Sequence, residues 1–305
     1  MSEQLQSDFD KIVKTSKLSN EEIQFKKNFL NNFKKKGFPN RKQEDWKFLD
    51  ISQIIKKNIS DLSFFNDYSQ SNKIDSSIFV DGLEHNKIIF INGKIEKIDF
   101  DFEDQNKIEI IDETKKDISF DYENSLIDLN SAFIDKVFKI LIKKNYSLKK
   151  PLIIYHSTNN KIKSTNINLR LDFELGENSC LKLIDYFSNN TAKNFINIFY
   201  NFYLEKDSIL KNYKIDRFIN NNLKYSFNNI EQGNNSVSET FILSAGSDYF
   251  KNEINCNLNG EYSSAFINGI FSLKENQQHE IRTTINHLVE NTKSYQLIKL
   301  SLIHI

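Results

Sequence analysis

The sequence predicts a mainly β chain, with a β-solenoid core preceded by an α-helical and then an α+β N-terminal region. Three observations predict it. A polar turn followed by Ser recurs at LGENSCLKL (175–183), LEKDSILKNY (204–213), EQGNNSVSETF (231–241), LNGEYSSAF (258–266) and VENTKSYQLIK (289–299). Counting Ser179, Ser208, Ser236, Ser263 and Ser294 gives spacings of 29, 28, 27 and 31 residues, a period that marks stacked structural units. Between the turns apolar and polar residues alternate, as at Ala265, Ile267 and Ile270 and at Ile281, Thr283 and Ile285, the signature of half-buried strands. The third observation is size: a unit of about 29 residues, at roughly 3.3 Å per strand residue, holds two or three short strands and their turns. A sandwich would space its strands similarly but has no need of the longer repeat.

The elements follow in order. Leu5, Phe9, Ile12 and Val13 have helical spacing over residues 4–16. A second helix begins at Ser19, which with Glu22 forms a capping box, and ends at Gly37 before Pro39. Ile23, Phe29, Leu30 and Phe33 supply its apolar face, and Lys26, Lys27, Lys34, Lys35 and Lys36 are expected on the solvated side. PNRKQEDWKFLDISQIIKKN (39–58) carries the single Trp, and Trp46, Leu49, Ile51, Ile54 and Ile55 are expected to pin a connector and a short helix to the body. Lys87–Ile91 and Lys94–Ile98 flank Asn92-Gly93, the strongest short-range hairpin signal. Ile108 to Tyr122 holds a weaker strand, IEII. SLIDLNSAF (125–133) reads as a helix, and VFKILI (137–142) and Leu152–His156 as strands. The expected regions are 1–58 helical, 59–124 α+β with the Asn-Gly hairpin, and 125–305 solenoid. The terminal KLSLIHI stops inside a strand pattern, which predicts missing coils after Ile305 and an aggregation-prone open end for the chain as given.

Composition narrows the function classes. Forty-one Lys and Arg balance 41 Asp and Glu, so no global field draws the chain to nucleic acid or anionic lipid. No leader-like N-terminus and no run of 18 apolar residues is present, and the expected compartment is the cytoplasm. Only eight Gly stand in 305 residues, so Asn is expected to fill positions that need a positive φ.

Candidate chemistry is sparse. Among His85, His156, His279, His287 and His304, only His279 and His287 are close in sequence, with Arg282 between them; facing one groove, they could bind a metal or an anion, or stand as polar rungs of a coil. Cys180 and Cys256 lack metal-ligand spacing; they could join His279 in a thiolate–imidazole site, or simply be buried thiols. The run Arg41–Asp45 could be catalytic or a solvent-side cluster. No phosphate-binding Gly loop, zinc-protease helix or Gly-flanked Ser nucleophile appears.

Several phrases resemble one family. PNRKQEDWKFLD (39–50), IIFINGKI (88–95), LNSAFIDKVFKILI (129–142), NGIF (268–271), QHEIRTTINH (278–287) and SYQLIK (294–299) follow the pattern and order of the SufB/SufD family, and the Trp-containing stretch is similar to its SufD branch. The resemblance implies a right-handed parallel β-helix without catalytic residues of its own. It implies assembly with SufB and the ATPase SufC to build iron–sulfur clusters, with no cofactor bound by this chain alone and the nascent cluster handled within the complex. Lys136 stands where the family usually has Gly, so that turn is expected to differ. Family chains continue past the Gln-Leu-x-Lys segment into further coils, a Cys–His pair tied to cluster assembly, and a helical region that holds SufC. With that part missing, no cluster ligand carries over, and contact with SufC is not expected from this stretch. His279, Arg282 and His287 carry over as motif positions without an assigned role. Other readings are a SufB-like paralogue, a pectin-lyase-type enzyme using Glu280 and Arg282 in a solenoid groove, and an adhesion module, which the missing secretion signal disfavours.

Overall fold

A computed structural model describes residues 2–59, 61–67, 73–113, 124–159, 162–187, 193–216, 223–274 and 276–302. Glu275, residues 114–122 and the last three residues, His304 among them, fall outside the described residues.

Three helices come first: α1 (Ser2–Thr15), α2 (Asn20–Lys36) and α3 (Ile51–Asn58). The capping box at Ser19 is formed, with the Glu22 N–H donating to Ser19 Oγ and the Ser19 N–H donating to the Glu22 carboxylate. The Gly37 N–H closes α2 on the Phe33 carbonyl. Beyond α3 come the hairpin β1 (Asn86–Ile91) and β2 (Lys94–Asp99), then β3 (Ile108–Glu113), α4 (Ser125–Phe133), β4 (Val137–Ile142) and β5 (Leu152–Ser157). Asn92 and Gly93 at the hairpin tip both have positive φ, 54° and 83°, as a tight two-residue turn requires.

The rest is a stack of five coils, each giving one strand to each of two sheets. The pairs are β6 (Asn166–Leu175) and β7 (Cys180–Phe187), β8 (Phe195–Leu204) and β9 (Ile209–Asp216), and β10 (Leu223–Gln232) and β11 (Val237–Ser244). The last two are β12 (Tyr249–Leu258) with β13 (Ser264–Leu273), and β14 (Gln278–His287) with β15 (Lys293–Leu302). The first sheet runs β15-β13-β11-β9-β7-β5-β1-β2 and the second β14-β12-β10-β8-β6-β4-β3. All pairings between coils are parallel and unshifted; the antiparallel pairs are β1 with β2 and β3 with β4. The chain is therefore mainly β, with helices toward the N-terminus and a parallel solenoid after them.

The recurring Ser is explained by the turn between the two strands of a coil. Asn178, Asp207, Asn235, Tyr262 and Asn291 each have φ between 55° and 61°, and after the first four the N–H of the following Ser donates to the carbonyl three positions earlier. Ser208, Ser236 and Ser263 reinforce it, their hydroxyls donating to the carbonyls of Glu205, Gly233 and Gly260 at 2.7–2.8 Å. In the fifth coil this place belongs to Thr292, whose hydroxyl donates to the Val289 carbonyl at 3.3 Å. Ser294 lies two residues further on, opposite Ala265 in the register, so the last interval of the repeat is 29 residues rather than 31. The one-sided alternation read at Ile270 also needs correction: Ala265 and Ile267 are buried in the interior, as is Phe271, whereas Ile270 is 40% exposed.

The two sheets have different outer faces, and burial follows. On β7, β9 and β11 buried residues alternate strictly with half-buried or exposed ones, as on a sheet open to solvent on one side. On β8 and β10 nearly every residue is buried, because the helices cover that face. Phe33, Phe38, Leu49, Ile55 and Phe133 pack there against Phe195, Phe199, Leu223, Tyr225 and Phe227. Asn130 of α4 donates to the carbonyls of Leu169 and Asn197 at 3.0 and 2.9 Å, and Asn197 returns a bond to Leu126, so α4 is stitched to the sheet by its own amides. Lys26 is likewise buried, against the solvated position expected for it, and donates to the Ile134 carbonyl at 2.5 Å. The end of α4 roofs that lysine, and burial lowers its pKa to about 8.

Coil-to-coil spacing leaves no room at one turn. A Cβ on Gly260 would lie 2.1 Å from the backbone nitrogen of Asn234 in the preceding coil. Gly260→Ala is expected to cost about 1–3 kcal/mol, the usual range for overpacking, seen as a lower midpoint in urea unfolding. An unchanged midpoint would contradict this close approach.

Candidate functional site

The two motif positions of β14 expected to share a groove do not. His279 and His287 stand on one uninterrupted strand, eight residues or about 26 Å apart at strand rise. His279 turns inward, its Nδ1 accepting from the Ser244 hydroxyl at 2.9 Å and its Nε2 donating to the Ser247 carbonyl at 2.5 Å, with Phe250 and Phe271 against the ring. His287 is exposed and bonds Thr292 and Ser294 at the turn. Arg282, of opposite parity, projects to the outer face. No group of three or more His, Cys, Asp or Glu among the described residues is arranged to hold a metal ion. Cys180 and Cys256 lie on different sheets three coils apart, roughly 14 Å along the stack. Burial raises both thiols, Cys256 to about 12, which leaves them protonated and unreactive.

What Arg282 does meet is the other end of the sequence. Its guanidinium pairs with Asp45 at 2.7 Å. Around this pair the stretch 44–48 lies on the outer face of β12 and β14. Trp46, in a short 3-10 turn (Glu44–Trp46), is buried against Tyr225, ring centres 5.5 Å apart. The ammonium of Lys251 sits 4.3 Å over the Trp46 ring, donates to the Asp45 carbonyl, and forms an ion pair with Glu280. Gln278 donates to the Phe48 carbonyl. The register makes this possible: parallel pairing puts Lys251 beside Glu280 and Glu253 beside Arg282. Burial raises the carboxyl of Glu253, with Lys251 and Arg282 opposing. Thus two stretches more than 200 residues apart in sequence, EDWKF (44–48) and QHEIR (278–282), form one interface inside the chain. Glu280 and Arg282 are engaged in it rather than lining an open catalytic groove, which removes the support for the pectin-lyase reading.

A second cluster is buried inside the coils, and sequence reading missed it. Asp185 on β7 lies in register with Lys214 on β9, and the two pair at 2.9 Å. Asp185 also accepts from His156 Nε2 and from the Tyr200 hydroxyl, each at 2.7 Å. The ammonium of Lys214 stands 3.7 Å over the Tyr200 ring. Further along, Lys224 lies 3.1 Å over Phe187, and Ser247 donates to Asp216 at 2.7 Å. Desolvation opposes every charge here. It lowers Lys224 to about 8 and holds His156 and His279 below the ordinary imidazole value, while Lys214 and His156 together keep Asp185 well below the usual carboxylate range. Two carboxylates face two ammonium groups, so the cluster compensates itself, with a neutral imidazole and a phenol as hydrogen-bond partners. The signal available in the sequence was weak: charged residues at inward parity of strands otherwise apolar, at intervals of 29 residues between His156 and Asp185 and between Asp185 and Lys214.

Residues 156–302 match the family described as SUF system FeS cluster assembly, SufBD core domain. The match takes in all five coils. The chain is also 22% identical over 276 residues to the iron-sulfur cluster assembly protein SufD of Escherichia coli strain K12, covering 86% of this chain and 62% of that protein. The chain thus spans less than two thirds of that relative's length. Both findings support the SufB/SufD family and its place in iron–sulfur cluster assembly. No helix among the described residues is long and apolar enough to cross a membrane.

Two outcomes are expected. Lys251→Met leaves Glu280 and Glu253 without their buried cation and should cost about 3–5 kcal/mol, whereas Arg282→Ala removes a half-exposed pair and should cost about 1 kcal/mol or less. Equal losses in urea unfolding would contradict that ranking. The second concerns pH. The folded pKa values of His156 and His279 lie below the ordinary 6.5, so below that pH the unfolded chain binds more protons and stability falls. The urea midpoint should drop between about pH 7.5 and about pH 5.5, and drop less in His279→Gln; identical slopes would contradict a buried neutral His279.

Proposed function

We propose that this chain acts as a scaffold subunit of SUF-type iron–sulfur cluster assembly, of the SufD rather than the SufB kind. It works in the cytoplasm with a SufB-type partner and the SufC ATPase. The observation that carries the reading is the match of the SufBD core over the coiled array, residues 156–302. The relative named iron-sulfur cluster assembly protein SufD supports the SufD branch, and so does the resemblance carried by the Trp46 stretch.

The chemistry fits a subunit that holds shape rather than turning over substrate. The buried titratable groups neutralise one another, the two thiols are protonated, and Glu280 and Arg282 are bound into the N-terminal interface. The scaffold reading asks the coils to present stable outer surfaces while the nascent cluster, as cargo, is handled within the assembled complex. The parts of the relative beyond the aligned span are included in this proposal only as they would occur in a longer chain.

The test is co-expression of the tagged chain with SufB-type and SufC-type proteins of the same organism. Recovery of a complex containing the SufB-type protein, with cluster transfer to an apo-ferredoxin raised at least several-fold over SufB and SufC alone, is the expected result. If neither partner is retained and cluster transfer is unchanged, the scaffold reading fails.

A further inference from the structure

The imidazole of His156 lies between two parallel rings, Phe187 at 4.2 Å and Phe90 at 5.5 Å. Its Nε2 is taken by Asp185, but its Nδ1 makes no hydrogen bond to any protein atom although the residue is only 4% exposed. Two residues on, the Thr158 hydroxyl is in the same position, buried and without a protein partner. Both residues line one small cavity, walled by Phe90, Leu169, Phe187 and Ile196 and floored by Gly93 at the hairpin tip. About 10 Å³ of it accommodates the centre of a water molecule, which is the space one water needs.

We propose that this cavity is a binding site for a single structural water bridging His156 Nδ1 and Thr158 Oγ1. His156 and Thr158 are two residues apart and line the same cavity, so a water centred in it can make bonds of about 2.8 Å to both. Apolar cavities of this size stay dry, but two orphaned polar atoms supply the two partners a buried water requires. The donors and acceptors then balance. Nε2–H donates to the Asp185 carboxylate, so Nδ1 carries the lone pair; the water donates one proton to it and accepts the Thr158 hydroxyl proton. Left unpaired, the buried nitrogen would keep its full desolvation penalty. The water therefore completes the Asp185–Lys214–Tyr200 cluster from outside and fixes the tautomer of its histidine.

The full chain with ¹⁵N-labelled histidine tests it, together with a high-resolution crystal structure. The expected result is a His156 protonated at Nε2, an Nδ1 resonance shifted to a hydrogen-bonded position, and density for one water in the cavity. Thr158→Val, close in shape, should remove the water and move the Nδ1 resonance to that of an unbonded imine nitrogen. A His156 protonated at Nδ1, an empty cavity in the wild-type crystal, or an Nδ1 resonance unmoved by Thr158→Val would each overturn the proposal.

Discussion

Unshifted parallel stacking is the constraint from which the other features of this molecule follow. Each residue of a coil lies beside its equivalent in the next, about 4.8 Å away, so the sequence of one coil restricts the next at every position. Inward apolar rows result, such as Phe173, Phe202, Ile230, Cys256 and Ile285. The same constraint can set like charges side by side, as at Lys182 beside Lys211, but at several positions the chain places opposite signs in register. Lys211 faces Glu239, Asp185 faces Lys214 and Lys251 faces Glu280, and each pair makes a salt bridge. The buried pairs are better read as devices of register than as sources of net stability, since ion pairs of this kind roughly break even against a well-packed apolar core. A slip by one coil or one residue would bury an unmatched charge.

The second consequence concerns the face the helices cover. A parallel sheet buried on both sides needs a second apolar layer, and α2, α3 and α4 with the Trp46 turn provide it on the β8 and β10 side. Where that layer ends, over β12 and β14, the contact becomes polar: Asp45 with Arg282, the Phe48 carbonyl with Gln278, and Lys251 beneath Trp46. The helical region is thereby fixed to the far end of the stack as well as to its middle. For a subunit proposed to hold partners in place, this makes one rigid piece of two sequence regions that a shorter interface would leave free to hinge.

Much of this was legible in the sequence. The capping box at Ser19 and the Asn92-Gly93 turn have short-range causes, and they stand where they were read. The solenoid was legible because its turn needs one residue at positive φ followed by one with a hydroxyl, and Asn, Asp and Ser spell that out. The rule also explains the misreading at Ser294: Thr292 serves as well as Ser, but a search by letter passes it over. The burial of Lys26 and of the Asp185 cluster could not be read locally. Whether a lysine is solvated depends on what folds over it, here the end of α4 and the neighbouring coil. The pairing of Arg282 with Asp45 spans the whole chain, and only the shared family resemblance of the two stretches hinted that both matter.

The Trp46 stretch and the last described coils form one energetic unit. A double-mutant cycle between Trp46→Leu and Lys251→Met, measured by urea unfolding, tests it most directly. A desolvated cation over an indole ring predicts a coupling energy of about 1–2 kcal/mol. Additive losses, with a coupling energy near zero, would mean that the N-terminal stretch rests on the coils without being held by them.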